Sequence, residues 1–237
     1  MSSAATIYQS LNLIAITCAA LAGSTAARRR GLDPVGVLCC AFISGLGGGL
    51  LRDILLQDGV LASIANTWNP AVAFAAGAVV CFASPRGVAW RILAPVAEAA
   101  TIGAWAVTGT EKAATLGIAP FSAVLLGVVS AVGGGAVRDV VVLRRIPEIF
   151  GGNTLTATCA ASSALVMITA YRLHYPGAGL ACGTAIGGVL YLVARRRHWV
   201  LPPAVRLHAE TPGGASAAST EPARPAEREH SDAATRG

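Results

Sequence analysis

The chain has 237 residues, of which 54% are hydrophobic and 13% are charged, and its formal net charge is +6. Soluble domains carry about 25% charged residues, so this composition excludes an ordinary soluble domain and indicates an integral membrane protein. The positive charge does not indicate nucleic-acid binding, because the arginines stand at the ends of apolar segments, where they set membrane topology. Residues 1–10 contain no basic residue, so we expect no cleavable signal peptide there.

Apolar segments follow one another along most of the chain without a long polar insertion. A helix needs about 20 apolar residues to span a bilayer, and continuous apolar runs differ from the alternating pattern of a membrane β-barrel. We therefore predict an all-α polytopic protein with a transmembrane domain over residues 1–202. Residues 203–237 lack apolar periodicity, which predicts a disordered cytoplasmic tail. The seven predicted spans are 7–27, 34–56, 70–84, 93–110, 120–143, 154–171 and 177–194.

Prolines mark the beginnings of several spans. Pro34 and Pro120 each open a span, where the missing N–H of proline costs nothing. Asp33 is a candidate N-cap for the first of these, and Asn69, which precedes Pro70, is a candidate cap for the third span.

A ten-residue motif occurs twice. Ser44–Asp53 reads SGLGGGLLRD, and Ser130–Asp139 reads SAVGGGAVRD. The glycines and prolines around the two copies match at the same spacing without a gap, beginning at Gly23 and Gly109. The sequence therefore predicts two repeats, 8–86 and 92–174, followed by a seventh helix at 177–194.

The distribution of basic residues predicts the orientation of the repeats. If the segment after the first span is cytoplasmic, only Lys112 and Arg172 fall outside. The positive-inside rule then places the N-terminus outside and the C-terminus in the cytoplasm. Each repeat has three spans, an odd number, so the two repeats are predicted to be inverted in the membrane. The cytoplasmic arginines are Arg28, Arg29, Arg30, Arg86, Arg91, Arg144, Arg145, Arg195, Arg196 and Arg197.

Two runs of three glycines interrupt the apolar spans. Each glycine weakens a helix by about 1 kcal/mol relative to alanine. Glycine-interrupted segments at matching places in two inverted halves point to a transport pathway, whereas close helix packing is the alternative explanation. The pathway interpretation is favoured here because both runs precede an Arg-Asp pair. The candidate pathway residues are Gly47, Gly48, Gly49, Gly133, Gly134 and Gly135.

Arg52, Asp53, Arg138 and Asp139 lie toward the far ends of the second and fifth spans. Neighbouring side chains on a helix point about 100° apart, which favours pairing across the repeats, Arg52 with Asp139 and Arg138 with Asp53, although the sequence does not decide the pairing. Charges inside a membrane are functional candidates, and a structural lock that closes the bundle is the equal alternative.

Lys112 ends the fourth span. It is either an ordinary solvated loop cation or a cation near a pore mouth that responds to the membrane potential. Glu98, early in the same span, is interpreted as a carboxylate near a helix N-terminus. The cysteines and histidines show no metal-binding spacing, and we expect neither a metal, a cofactor nor an enzymatic activity.

The doubled motif resembles the prokaryotic trimeric intracellular cation (TRIC) channel family, also catalogued as a glycine-transporter or UPF0126 two-repeat family. The resemblance covers residues 8–202 and rests on Gly31-Leu-Asp-Pro34 leading to the first motif and Gly109-Thr-Glu-Lys112 leading to the second. It implies seven helices in two inverted repeats and a homotrimer with one pore in each protomer. The second and fifth helices would kink at the glycines and line a path for potassium.

Two positions depart from the family's pattern. Asn12 stands where the family often has an acidic residue, while Glu98 keeps the carboxylate in the second copy. Ala19 replaces an aromatic residue of the first span, and Trp105 occupies the matching place in the fourth span.

Three functions are compatible with these features. The first is a passive potassium-permeable channel of the inner membrane, with membrane lipid and monovalent cations as its partners. The second is a secondary transporter of glycine or a similar small amino acid, whose carboxylate would be held by half-helix N-termini. The third is a structural membrane scaffold. The ionisable residues lie nearer the span ends than the midplane, which favours the channel over a coupled transporter.

Overall fold

The computed structural model describes residues 3–83, 88–144, 147, 155–197 and 199, with only the backbone described for residues 3–5 and 88–93. Within these ranges the chain forms helices and no strand. The helices are α1 (Ser3–Arg29), α2 (Pro34–Leu56), α3 (Ala62–Ala65), α4 (Trp68–Ala83), α5 (Val88–Thr115), α6 (Pro120–Val141), α7 (Thr156–Arg172) and α8 (Pro176–Arg196).

Several of these helices are suited to a bilayer. The segments Thr6–Arg29, Pro34–Leu56, Pro120–Val141 and Pro176–Arg196 are long and apolar enough to cross a membrane. The shorter helix α4 is also apolar, and its 16 residues extend over about 24 Å. The predicted all-α membrane architecture is confirmed at this level. The predicted tail, residues 203–237, lies outside the described residues.

The helix starts follow local capping chemistry. Pro34 is the first residue of α2, and the Gly36 N–H donates to the Asp33 side chain over 2.8 Å, which confirms the predicted cap. The prediction for Asn69 is wrong. Helix α4 begins at Trp68, two residues before Pro70, and the Trp68 N–H donates to Asn66 Oδ1 over 3.1 Å. Asn69 therefore lies inside the helix and does not cap it.

The helices pack in the same pattern in both halves of the chain. Helices α1, α2 and α4 all contact one another, and so do α5, α6 and α7. The two sets meet where α1 lies against α5 and where α2 lies against α6, and α8 packs mainly on α5 and α7. The motif-bearing helices α2 and α6 therefore lie at the junction of the two sets.

Small residues form much of the interior. One buried cluster contains Ala15, Ala20, Ala41, Ala73 and Ala104 together with Ile16, Leu46 and Trp105. Such residues let helix backbones approach closely, which is the usual basis of helix association in membranes.

Arginines that mark topology in the sequence also cap helix ends. The Arg28 guanidinium donates to the carbonyl oxygens of Val80 and Cys81 near the end of α4, and Arg30 Nη1 donates to the Leu143 carbonyl oxygen over 2.9 Å. Cations at a helix C-terminus satisfy its last carbonyl groups and are favoured by the helix dipole. These contacts fix the loop after α1 against two other helices.

Candidate functional site

The two glycine runs bring α2 and α6 into direct backbone contact. A β-carbon added at Gly48 would overlap the Ser130 carbonyl oxygen, and one added at Gly134 would lie 2.9 Å from the Ser44 carbonyl oxygen and 3.0 Å from the Gly48 nitrogen. Gly48 and Gly134, which hold the same position in the two motifs, therefore face each other. Residue 48 meets residue 130 and residue 134 meets residue 44, so the two helices cross in opposite directions.

Both helices continue through their glycine runs. Residues 47–49 and 133–135 are α-helical, so the helix is not interrupted there. The glycines stay helical because their lack of a side chain permits the backbone contact, and tertiary packing overrides their low helix propensity. The expected kinks remain a prediction.

The other glycines of the runs have different surroundings. Gly47 also packs against Gly134, Gly133 packs against Leu51, and Gly49 packs against Ser63 and the Trp105 ring. Gly135 is the exception, since an added β-carbon would meet only Arg138, at 3.9 Å.

A cavity of about 110 Å³ lies beside the glycine crossing, and we name it the glycine cavity. Of the six predicted pathway glycines, Gly48, Gly134 and Gly135 line it, together with the charged residues Arg138 and Asp139 of the second motif. Its other lining residues are Ala19, Ala22, Ser44, Glu98, Thr101, Ile102, Trp105, Ser130, Ala131, Val132, Ala136, Pro147, Thr156 and Tyr191.

A second cavity, of about 380 Å³, lies beside the C-terminal part of α2 and is lined by three asparagines; we name it the asparagine cavity. Arg52 borders it, and the Asn12 amide donates to Asn69 Oδ1 over 3.4 Å. The full lining is Tyr8, Gln9, Asn12, Arg52, Ala62, Ser63, Ala65, Asn66 and Asn69. The first motif thus borders both cavities, through Ser44 and Gly48 on one and Arg52 on the other, whereas the second motif borders the glycine cavity.

Arg52, Trp105 and Gly49 form a layer of neighbouring residues between the linings of the two cavities. The Arg52 guanidinium, on the asparagine cavity, lies 5.9 Å from the centre of the Trp105 ring, which lines the glycine cavity. Gly49 packs against the same ring. Because glycine has no side chain, the Trp105 ring lies directly against the α2 backbone.

The first Arg-Asp pair forms a buried network with Lys112. Asp53 Oδ1 accepts hydrogen bonds from Arg52 Nε over 3.0 Å, Arg52 Nη2 over 2.9 Å and Lys112 Nζ over 2.9 Å. The side chains of Arg52 and Asp53 are each only 2% exposed, and that of Lys112 is 15% exposed. Lys112 is therefore a member of the site and not a solvated loop cation.

The predicted pairing across the repeats is wrong. Arg52 binds Asp53 beside it, and Arg138 Nε and Nη2 donate to Asp139 over 2.9 and 2.7 Å. The angular separation of neighbouring helix positions was a poor guide, because a long arginine side chain folds back along the helix to the adjacent carboxylate. Each motif is thus a local ion pair.

Sequence reasoning did not identify two members of the network. Ser63 donates to Asp53 Oδ2 through its N–H over 2.9 Å and through its hydroxyl over 2.8 Å. Arg52 Nη1 donates to the Tyr8 hydroxyl over 3.4 Å. Ser63 lies on the four-residue helix α3, which has no strong sequence signal, so only the three-dimensional structure places it here.

The prediction that Glu98 lies near a helix N-terminus is wrong, because α5 begins ten residues earlier, at Val88, and side chains bind Glu98 instead. Its Oε2 accepts from the Tyr191 hydroxyl over 2.8 Å and from Arg195 Nη1 over 2.7 Å. Glu98 and Tyr191 both line the glycine cavity, and Arg195 is 47% exposed at the side chain. The pair therefore fastens α8 to α5 beside the cavity.

A sequence model of the family described as Glycine transporter matches the chain twice, over residues 9–85 and 95–172, which together make up more than half of it. The UPF0126 inner membrane protein YadS of Escherichia coli is 28% identical over 198 residues, covering 81% of this chain and 93% of YadS. A UPF0126 membrane protein of Deinococcus radiodurans is 29% identical over 202 residues, covering 83% and 91%.

Solved structures share the fold. A structure from work on conductance through TRIC cation channels has a TM-score of 0.72 and 28% identity, covering 82% of this chain and 95% of its own. A prokaryotic TRIC channel in 0.5 M KCl has a TM-score of 0.73 and 24% identity, covering 83% and 99%. The TRIC orthologue from Rhodobacter sphaeroides has a TM-score of 0.69 and 22% identity, covering 81% and 96%. The chain therefore belongs to the Glycine transporter or UPF0126 family of membrane proteins and shares its fold with the TRIC cation channels.

Proposed function

We propose that the protein is a passive, potassium-permeable cation channel of the inner membrane, with one pathway through each protomer. The observation that carries this proposal is the pair of cavities beside α2, one at the glycine crossing and one at its C-terminal part, with the layer of Arg52, Trp105 and Gly49 between their linings. A cation would pass from one cavity to the other along the glycine crossing when this layer moves. The similarity to a TRIC cation channel at 28% identity supports the same function.

The pathway runs between two inverted repeats in a protomer with seven spans. The two family matches at residues 9–85 and 95–172 support a duplication, and the opposite directions of α2 and α6 at their crossing support the inversion. The arginine distribution places the N-terminus outside and the C-terminus in the cytoplasm. A C-terminal green fluorescent protein fusion that stays dark, with an alkaline phosphatase fusion that is active, would contradict this orientation.

Gating is assigned to the charged network at the end of α2. Lys112 Nζ and Arg52 share the Asp53 carboxylate, which holds the end of α5 against α2 beside the asparagine cavity. A cation at this depth experiences part of the membrane potential, at about 2.3 kcal/mol per elementary charge for a full 100 mV. Displacement of Lys112 by the potential would release this lock. The second pair, Arg138 with Asp139, lies on α6 alone and borders the glycine cavity, where we assign it to the wall of the pathway.

A glycine transporter is the second candidate because the family carries that description. That mechanism needs free backbone N–H groups at the ends of broken helices to hold a carboxylate. Helices α2 and α6 are continuous at their glycine runs, so those N–H groups are used within the helices. This geometry favours the channel.

The functional unit is proposed to be a homotrimer in a lipid bilayer. The Rhodobacter sphaeroides structure is described as a trimeric channel. Large apolar side chains are exposed on this chain, including Phe82 at 88%, Phe121 at 80% and Val35 at 66%, and lipid or a neighbouring protomer would cover them. Light scattering of the detergent-solubilised protein, corrected for bound detergent, measures the number of protomers.

Potassium flux into liposomes containing the purified protein tests the channel. We expect K⁺ to move down an imposed gradient in the absence of glycine. Saturable glycine uptake without cation conductance would instead establish the transporter.

Gly135→Leu tests whether the glycine cavity is part of the pathway. Gly48 and Gly134 are unsuitable for this purpose, because a leucine there would collide with the facing backbone and lower flux by disturbing the helix packing. Gly135 lines the cavity and has free space, so leucine fills the cavity without moving a helix. We expect flux to fall at least roughly tenfold while the protein remains assembled. The matched control is Gly177→Leu near the start of α8, where a β-carbon would meet only Ile7, at 3.8 Å.

A further inference from the structure

Two buried hydroxyl groups beside the glycine crossing have no hydrogen-bond partner. Ser44 and Ser130 are 5% and 1% exposed, and neither Oγ atom bonds to any part of the chain that the structure describes. Other buried hydroxyls in these helices donate to the carbonyl oxygen four residues earlier, as Ser24 and Thr108 do. A buried hydroxyl without a partner is costly, so these two require an explanation.

The two serines are built into the same surroundings in each half of the chain. Ser44 packs against Gly23 of α1, and Ser130 packs against Gly109 of α5. The Ser44 and Ser130 hydroxyl oxygens are thus positioned by the same kind of contact, with a glycine of a neighbouring helix. A chance packing defect would not recur at matching positions in both halves of the chain.

Both serines line the glycine cavity, which has room for several water molecules. The cavity wall also carries the carboxylates of Glu98 and Asp139, each paired with an arginine. The two serine hydroxyl oxygens are therefore available to a ligand in this wall, and the surrounding charges nearly balance.

Neutral oxygen atoms replace the hydration shell of a monovalent cation in selective pores, and binding must stay weak enough for the ion to leave. We propose that the Ser44 and Ser130 hydroxyl oxygens form a subsite for a partly dehydrated monovalent cation in the glycine cavity. This subsite rests on the proposed channel function and adds a specific place where the ion loses water. Because the neighbouring carboxylates are already paired, the subsite holds the ion weakly.

Thermal unfolding of the purified protein in detergent tests the subsite without measuring transport. KCl is titrated against N-methyl-D-glucamine chloride at constant ionic strength, and the melting temperature is recorded. We expect potassium to raise the melting temperature of the wild type, because the ion binds the folded state. In the Ser44→Ala, Ser130→Ala double variant the potassium concentration for half-maximal stabilisation should rise roughly tenfold, since two ligands are lost.

The same double variant has a second expected signature. In N-methyl-D-glucamine alone it should melt no lower than the wild type, because alanine removes two unpartnered hydroxyls and fits the same space. The matched control, Ser24→Ala, removes a buried serine hydroxyl that lies away from the cavity and already has a partner, Ala20 O. It should retain the full potassium response.

Three results would overturn the subsite: equal melting in both salts, an unchanged potassium response in the double variant, or stabilisation by glycine instead of potassium. Liposome flux separates this failure from failure of the channel. If the wild type conducts potassium but the double variant keeps the wild-type potassium response, the subsite is wrong and the channel stands. If the wild type conducts no potassium, but potassium stabilises the wild type and does not stabilise the double variant, the subsite stands and the channel is wrong.

Discussion

Asp53→Asn should be among the most destabilising isosteric changes in the chain. The asparagine keeps the shape of the aspartate but removes the negative charge that compensates two cations. The side chain of Arg52 is 2% exposed and that of Lys112 is 15% exposed, so both cations depend on Asp53 for charge compensation. Removing one partner of a buried ion pair costs about 3–5 kcal/mol, because the other charge is left uncompensated. We expect a value near the lower end, about 3 kcal/mol, because Lys112 keeps some contact with solvent.

The free energy of unfolding is measured by equilibrium titration of the detergent-solubilised protein with sodium dodecyl sulfate. Asp58→Asn is the matched control, because it makes the same chemical change five residues later at an exposed position. That control should change the free energy of unfolding by less than about 0.5 kcal/mol.

A double-mutant cycle identifies the source of the cost. Lys112→Met alone should cost about 1 kcal/mol, because the Arg52–Asp53 pair remains. In the Asp53→Asn background the same change should cost less or restore stability, since it removes one of two repelling cations. Additive effects, or a cost below about 1 kcal/mol for Asp53→Asn, would refute the idea that Asp53 holds the network together.

Further substitutions probe the contacts individually, with unfolding in the same detergent system as the assay. Gly48→Ala should lower the free energy of unfolding by roughly 1–3 kcal/mol, because the added methyl group overpacks the helix crossing. Gly135→Ala should be neutral or stabilising by up to about 1 kcal/mol. Similar effects at both sites would argue against backbone contact as the role of Gly48. Ser63→Ala should cost about 1–2 kcal/mol, because its hydroxyl donates to a buried carboxylate while its N–H bond is kept; no measurable change would place Ser63 outside the network. Glu98→Gln should cost less than about 1 kcal/mol, because its partner Arg195 is largely exposed, and a cost above about 2 kcal/mol would contradict this.

The sequence was sufficient for the fold at the level of an all-α membrane protein with several apolar helices. Apolar runs indicated where the helices lie, and the cap at Asp33 was correct in atomic detail because capping depends on residues that are close in sequence. The two family matches lie at the places where the repeated motif predicted two copies.

The site was less predictable because it depends on contacts between distant residues. The pairing of Arg52 with Asp53 depends on how an arginine side chain folds back along its helix, and the angle between helix positions does not determine that. Ser63 reaches Asp53 only because a short helix turns the chain back after α2. The glycine runs favoured an interrupted helix by intrinsic propensity, but the close approach of Gly48 and Gly134 is compatible with a continuous one.

Lys112 gives the two ends of the molecule different electrical properties. The position that corresponds to Lys112 in the first repeat is occupied by Ala26, so the duplicated architecture carries this ammonium group in one half and a methyl group in the other. A transmembrane field of one sign draws the ammonium group toward Asp53, and a field of the opposite sign draws it away. A conducting path built on this asymmetry would pass current more readily in one direction than in the other, so rectification would follow from a single residue by which the two halves of a duplicated chain differ.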